Sequence, residues 1–124
     1  MTRAILLTHG ALGEALMTSV ESILGPQEEV VVLSNSGQAL DQITDSLTPH
    51  LQGARCIIFV DFCGGSPFMA CKSLALPPET AAIVSGVNLP MLLSFFTKRT
   101  QMNFEELSQT VRQDAMRGIQ LHNE

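Results

Sequence analysis

The chain has 124 residues, a length that fits one domain with a buried core that needs no metal or disulfide bond to fold. Hydrophobic residues make up 45% and charged residues 15%, which is typical of a globular rather than a disordered chain. The formal net charge is −5 and the seven Lys and Arg residues form no run, so we expect no nucleic-acid partner.

The cysteines and the apolar runs indicate a cytoplasmic protein. Cys56, Cys63 and Cys71 are odd in number and form no CxxC pair, so we expect neither a disulfide framework nor a zinc site. The first apolar run has four residues, too few for the core of a signal peptide. No apolar run approaches the roughly 20 residues that span a bilayer. We therefore expect no metal and no membrane span.

Short β-type runs alternate with helical periods along the chain. In chain order the sequence predicts a strand over 3–8, a helix over 11–24, a strand over 29–33, a helix from Leu40 to Leu51, a strand over 55–61, a helix from Ser66 to about Leu76, a strand over 80–85, a helix from Asn88 to Phe96, a helix from Asn103 to Gly118, and a short tail over 119–121. This order predicts an α/β fold: a doubly wound, mainly parallel four-stranded sheet in the flavodoxin-like order 2-1-3-4, with helices on both faces. We expect one domain over residues 1–124.

Local signals add detail to the helices. The predicted apolar faces are Leu12, Leu16, Val20 and Ile23 in the first helix, and Leu40, Ile43, Leu47 and Leu51 in the second. Pro49 lies inside the second pattern, so we expect that helix to kink or fray in its last turn. Ser66 suits an N-cap and Pro67 the first helical position. The apolar run over 91–96 fits either core packing or a dimer surface.

A histidine and a carboxylate follow two strands that the predicted order makes neighbours. His9 comes directly after the first strand and Asp61 ends the third. Ligands of open parallel sheets bind at the carboxyl ends of the strands, where the strand order reverses. One nitrogen of a neutral imidazole can attack phosphorus while the other, which carries the proton, needs an acceptor. Asp61 can be that acceptor, so the pair predicts a phosphoryl-accepting His9 oriented by Asp61.

Donors for phosphoryl oxygens are predicted at the same edge. Helices begin after Gly10 and at Ser66, and their free N–H groups and positive dipole ends suit an anion. Gly64 and Gly65 can present backbone N–H groups, and the Ser66 hydroxyl is a further donor. Each residue also has an ordinary interpretation: His9 as a turn or core residue, the glycines as turn residues, Asp61 as a cap and Ser66 as the start of a helix. Their joint position favours the phosphoryl site.

Three blocks resemble one known family. They are Thr8-His9-Gly10, the segment 61–68 (DFCGGSPF) and the segment 85–92 (SGVNLPML). In order and spacing they are similar to the enzyme IIA domain of the mannose-family sugar phosphotransferase system, over essentially the whole chain. Cys63 departs from the pattern, which often has an aromatic residue there, so the rim of the pocket is expected to differ.

The resemblance implies a function and partners. By resemblance, His9 accepts a phosphoryl group from the phosphocarrier protein HPr and passes it to an enzyme IIB partner during sugar uptake. Asp61 orients His9, Ser66 contacts the phosphoryl group and Asn88 lies in a matching phosphate-binding loop. The resemblance also implies a homodimer that exchanges a short C-terminal strand, matched here by residues 119–121. By the same resemblance, the protein contacts the membrane only indirectly, through the permease components.

Two other hypotheses stay open at this point. In the first, His9 is phosphorylated and the change in charge regulates a partner, without a role in transport. In the second, the chain is an unrelated thiol enzyme or hydrolase built around Cys63. The carrier hypothesis needs no cofactor, and the sequence has neither a P-loop nor a carboxylate cluster. The sugar does not follow from the sequence, since a IIA component need not touch it.

Overall fold

The computed structural model describes residues 1–123, so Glu124, the last residue of the predicted domain, lies outside the described residues. In chain order the elements are β1 (Arg3–Thr8), α1 (Leu12–Leu24), β2 (Val30–Ser34), α2 (Leu40–Leu47), a 3₁₀ turn (Thr48–Leu51), β3 (Cys56–Val60), α3 (Ser66–Ser73), β4 (Ala81–Ser85), α4 (Leu89–Lys98) and α5 (Phe104–Arg117). Each predicted strand and helix is present. Among the described residues, no helix is long and apolar enough to cross a membrane.

The four strands form one parallel sheet in the order β2-β1-β3-β4, which confirms the predicted doubly wound fold. β1 is central, and its Leu7 pairs with Val60 of β3. Both strands are almost wholly buried, as expected of parallel strands that are covered on both faces. The register sets the carboxyl ends of β1 and β3 side by side, and the next residues along the chain are His9 and Asp61.

The core has one layer on each face of the sheet, because successive side chains of a strand point to opposite faces. Ala4 and Leu6 of β1 pack with α1, α4 and α5, whereas Ile5 and Leu7 pack with α2 and α3. The helices therefore hold β1 and β3 from both sides. The edge that carries His9 and Asp61 is thus supported by the whole core.

The apolar run over 91–96 belongs to this core. Its buried members are Met91, Leu92, Ser94, Phe95 and Phe96. The Phe95 ring meets the Phe59 ring edge-on at 5.3 Å between centroids, and the Arg99 guanidinium lies 4.9 Å from the centroid of the Phe96 ring. Of the two interpretations of this run, core packing is the one the structure supports.

The apolar face predicted for α1 is wrong in part. Leu12 and Ile23 are 41% and 57% exposed, and the residues that face the sheet are Gly13, Met17 and Val20. Gly13 lies so close to the sheet that a Cβ there would be 3.0 Å from Val32 Cγ1. Its backbone N–H also donates to the Thr8 hydroxyl at 2.9 Å. Glycine has no apolar side chain, so Gly13 did not count in the pattern. The spacing of the apolar residues therefore predicted the neighbouring face, which includes Leu12 and Ile23.

The ends of α2 and α3 also differ from the prediction. α2 ends at Leu47, and Pro49 lies in the 3₁₀ turn, which agrees with the expected break in the last turn. Gly65, not Ser66, is the N-cap residue of α3, so Pro67 takes the second helical position rather than the first. α3 stops at Ser73 instead of about Leu76, because Ala75 adopts a left-handed backbone with φ of 47°.

Replacing Ala75 by Gly is expected to raise the free energy of unfolding by about 1 kcal/mol. An L-residue with a side chain is strained at this φ, whereas glycine is not. Urea unfolding followed by far-ultraviolet circular dichroism measures the change. The matched control is Ala15→Gly in the exposed face of α1, which is expected to lower stability by about 1 kcal/mol. A loss of stability in both variants would contradict the strain at Ala75.

Candidate active site

His9 and Asp61 meet at the edge of the sheet, although they are 52 positions apart in the chain. The ring Nδ1 of His9 lies 2.6 Å from Asp61 Oδ2, and the backbone N–H of His9 donates to the same oxygen at 2.9 Å. Asp61 Oδ1 accepts the backbone N–H of Phe62 at 3.2 Å. The contact expected from the strand order is therefore present, while the catalytic roles of the two residues stay predictions.

Electrostatics fix which nitrogen of His9 carries the proton. Burial acts to raise the pKa of the Asp61 carboxyl, but hydrogen bonds from the His9 backbone and ring outweigh it, so that pKa lies below its ordinary value. Asp61 is therefore a carboxylate at neutral pH and can only accept. Nδ1 of His9 must then be the donor, which leaves an unshared electron pair on Nε2 of the neutral ring.

The two side chains differ in exposure in a way that suits this chemistry. The His9 side chain is 45% exposed and that of Asp61 only 10%. Among residues 1–123, none forms a hydrogen bond with Nε2 of His9. The site thus combines a sheltered charge with an accessible nitrogen, an arrangement that can receive an electrophile from a second protein.

Phe62 is a neighbour of His9 that the sequence analysis missed. The two rings are stacked, with 5.3 Å between centroids and 17° between planes. Gly65 lies against the same phenyl ring, because a Cβ on Gly65 would be 2.7 Å from Phe62 Cζ. The only signal in the sequence is that Phe62 follows Asp61 directly, which does not show that its ring turns back over His9.

The predicted phosphate donors lie close to His9 and Asp61 along the chain. Gly10 follows His9 and has φ of 54°, and Gly64 has φ of 91°, so both use backbone conformations that favour glycine. Within residues 1–123 the backbone N–H groups of Gly64 and Ser66 make no hydrogen bond. Ser66 is exposed in the first turn of α3. These groups remain predicted ligands of a phosphoryl group.

Asn88 has a structural role that the structure does show. Its Oδ1 accepts the backbone N–H of Met91 at 2.9 Å, so it caps α4. Its Nδ2 donates to the carbonyl oxygen of Ala115 at 3.3 Å and ties α4 to α5. Its phosphate-binding role, which the resemblance implied, stays a prediction.

The three cysteines differ in burial and in position. Burial raises the pKa of Cys71 to about 11 and also raises that of Cys56, so both thiols stay protonated. Cys63 is exposed in the loop between Asp61 and α3. Among residues 1–123, no group of three His, Cys, Asp or Glu side chains is arranged to hold a metal ion.

Comparison with known proteins connects this geometry to a family. The PTS system mannose-specific EIIAB component of Escherichia coli (strain K12) is 31% identical over 126 residues, which cover 96% of this chain and 39% of that protein. The chain therefore spans well under half the length of this relative. The PTS system sorbose-specific EIIA component of Klebsiella pneumoniae is 27% identical over 112 residues, which cover 88% of this chain and 83% of the relative.

A solved structure and a family model agree with these relatives. The crystal structure of phosphotransferase system component EIIA from Streptococcus agalactiae superposes with a TM-score of 0.89 at 26% identity, and the match covers 97% of this chain and 96% of that one. The model of the EIIA-man family, described as PTS system fructose IIA component, matches residues 3–112. The chain therefore belongs to the EIIA-man family of the sugar phosphotransferase system.

Proposed function

We propose that the chain is a phosphoryl carrier of a sugar phosphotransferase system, in which His9 takes a phosphoryl group from HPr and passes it to an enzyme IIB. One observation carries the proposal: Asp61 holds Nδ1 of His9 at 2.6 Å and leaves Nε2 free on an exposed ring. Family membership and the names of the relatives support the same role. The carrier works in the cytoplasm and meets the membrane only through permease components.

The first transfer uses the lone pair of Nε2. This nitrogen attacks phosphorus, an N–P bond forms, and the bond from phosphorus to the donor atom of HPr breaks in the same step. The electron pair of the broken bond returns to the donor. Nδ1 keeps its proton, so the imidazole becomes cationic, and the carboxylate at 2.6 Å stabilises that charge. Positioning and charge carry the catalysis, as is usual in phosphoryl transfer.

The second transfer reverses these changes. A nucleophile of enzyme IIB attacks the same phosphorus atom, the N–P bond breaks, and its electron pair returns to Nε2. During both steps, backbone N–H groups of Gly10, Gly64 and Gly65 and the hydroxyl of Ser66 bind the phosphoryl oxygens. The unpaired N–H groups of the loop before α3 support this assignment. No metal or nucleotide takes part in either step.

The test is to incubate the protein with phosphoenolpyruvate, enzyme I and HPr, and to record its intact mass without acid. Mass is the suitable signal because the chain has no Trp and no Tyr. We expect a gain of one phosphoryl group, which acid removes, and which an added enzyme IIB also removes. No gain while HPr is shown to be phosphorylated would overturn the proposal. A gain of mass that no enzyme IIB removes would support the regulatory alternative. The similarity to sugar-specific EIIA components does not favour that alternative.

We also propose that two copies form a dimer through the tail over 119–121. Ile119 and Leu121 are 76% and 83% exposed, so the tail has two apolar side chains without a core around them. β4 lies at the edge of the sheet, with β3 as its only neighbour among the described strands. An edge strand offers unpaired backbone groups to another chain. The tail of one copy therefore adds to β4 of the other.

Leu121→Asp is expected to convert the dimer into a monomer, because it puts a charge at the contact with the second copy. Sedimentation equilibrium at micromolar concentration measures the mass of the particle. The matched control is Gln120→Asp, which adds the same charge to a neighbouring polar position. A wild-type chain with the mass of one copy, or a dimer that survives in Leu121→Asp, would contradict the exchange.

A further inference from the structure

Phe62 is a large apolar residue that does not contribute to the core. Its side chain is 53% exposed and its ring lies face to face with the His9 imidazole, 5.3 Å away and tilted by 17°. This spacing is within the range of offset-stacked aromatic pairs. Single exposed apolar residues are common on protein surfaces, so it is the stacking on His9 and not the exposure that marks Phe62.

Gly65 gives independent support for this arrangement. Its φ of −74° is available to any residue, so the backbone conformation does not require glycine there. A Cβ on Gly65 would be 2.7 Å from Phe62 Cζ and 3.0 Å from Cε2, so a side chain there would have to push the phenyl ring aside. The loop over 61–66 thus contains both the ring and the space that the ring needs.

We propose that Phe62 is a positioning residue, whose ring fixes the plane of the His9 imidazole so that Nδ1 stays on Asp61 and Nε2 stays available. The effect on phosphoryl transfer rests on the proposed function, whereas the orientation of the ring does not.

Two physical effects support this role. One hydrogen bond to Nδ1 leaves the imidazole free to turn about that contact, and the outer torsion of a histidine side chain is soft. Stacking on Phe62 removes this freedom by fixing the ring plane. The phenyl face is also close enough to attract the cationic ring that forms when Nε2 takes the phosphoryl group, since such attraction acts within about 6 Å.

Three variants separate ring positioning from other roles. Phe62→Leu keeps an apolar side chain but removes the aromatic face, Phe62→Tyr keeps the face, and Gly65→Ala displaces it. Met69→Ala is the matched control, since Met69 is also about half exposed, at 49%, and lies four residues after Gly65. Proton and ¹⁵N spectra of the His9 ring, recorded on the unphosphorylated protein, report its ring-current shifts and tautomer. Uptake from phosphorylated HPr, stopped without acid at short times and followed by intact mass, gives kcat and KM.

In Phe62→Leu we expect the ring-current shift of the His9 protons to disappear and the second tautomer to become detectable. We expect kcat to fall about three- to tenfold, with KM for HPr within twofold of wild type. Gly65→Ala should reproduce the change in the His9 ring shifts, whereas Phe62→Tyr should keep wild-type values throughout. Met69→Ala should leave the spectrum of the His9 ring unchanged. Backbone amide spectra confirm that each variant is folded.

Two results would overturn the inference. In one, Phe62→Leu keeps the wild-type ring shifts, tautomer and kcat. In the other, only KM rises, which would make Phe62 a docking contact for HPr. If wild type accepts no phosphoryl group, the proposed function fails, but the ring shifts and the tautomer still decide whether Phe62 positions His9.

Discussion

His9→Gln is expected to reduce phosphoryl uptake below detection while the protein stays folded. Glutamine is polar and of similar size, but its amide nitrogen has no available electron pair with which to attack phosphorus. The fold should survive because the His9 side chain is 45% exposed and its backbone N–H still donates to Asp61. Intact mass after incubation with phosphoenolpyruvate, enzyme I and HPr measures the loss.

The other two histidines provide matched controls for this prediction. His50 lies in the 3₁₀ turn and His122 is exposed in the tail. Neither residue follows β1 or β3, the strands after which His9 and Asp61 lie. His50→Gln and His122→Gln should gain the full phosphoryl group at the wild-type rate. A mass gain that persists in His9→Gln and disappears in one of the controls would move the carrier role to another histidine.

Asp61→Asn is expected to slow phosphoryl uptake by about 10²- to 10⁴-fold. An asparagine amide can donate to Nδ1, which would shift the ring proton to Nε2 and remove the attacking electron pair. The variant also loses the negative charge that stabilises the cationic ring. Initial rates at a fixed concentration of phosphorylated HPr measure the fall, and ¹⁵N spectra of His9 show the tautomer.

The same substitution tests the charge on Asp61 through stability. Because its pKa is lower in the folded protein than the ordinary value of about 3.9, Asp61 stabilises the fold fully above that value. This contribution is lost as the pH falls through the folded pKa. The stability difference between wild type and Asp61→Asn should therefore shrink below about pH 4. Asp45→Asn, an exposed control in α2, should take up the phosphoryl group at the wild-type rate. An Asp61→Asn variant with the wild-type rate would contradict the orienting role.

The parallel sheet was predictable from the alternation of strands and helices, whereas the order 2-1-3-4 was taken from the flavodoxin-like arrangement, one of two common doubly wound orders. Continuous apolar runs such as Cys56–Val60, separated by helical periods, fit few arrangements other than a covered parallel sheet. The approach of His9 and Asp61 then follows, since both end neighbouring strands. The contact across 52 positions was thus accessible from the sequence because it depends on topology and not on side-chain detail.

Features that depend on a tertiary neighbour were not predictable. Gly13 faces the sheet in α1, yet a pattern of apolar side chains passes over a residue that has none. Gly65 resembles an ordinary turn glycine until the Phe62 ring is seen beside it. The early end of α3 depends on the left-handed Ala75, which no proline or glycine marks at that position. In each case the cause is a neighbour or a strain that only the folded chain contains.

Asp61 Oδ2 accepts two hydrogen bonds from the same residue, one from the ring of His9 and one from its backbone. The backbone bond does not involve the ring, so we expect the carboxylate to keep its place whether or not the ring carries a phosphoryl group. In the proposed function, loading and unloading would then meet the same electrostatic surroundings. We therefore expect the site itself to impose no direction on the transfer, which the relative potentials of donor and acceptor would decide.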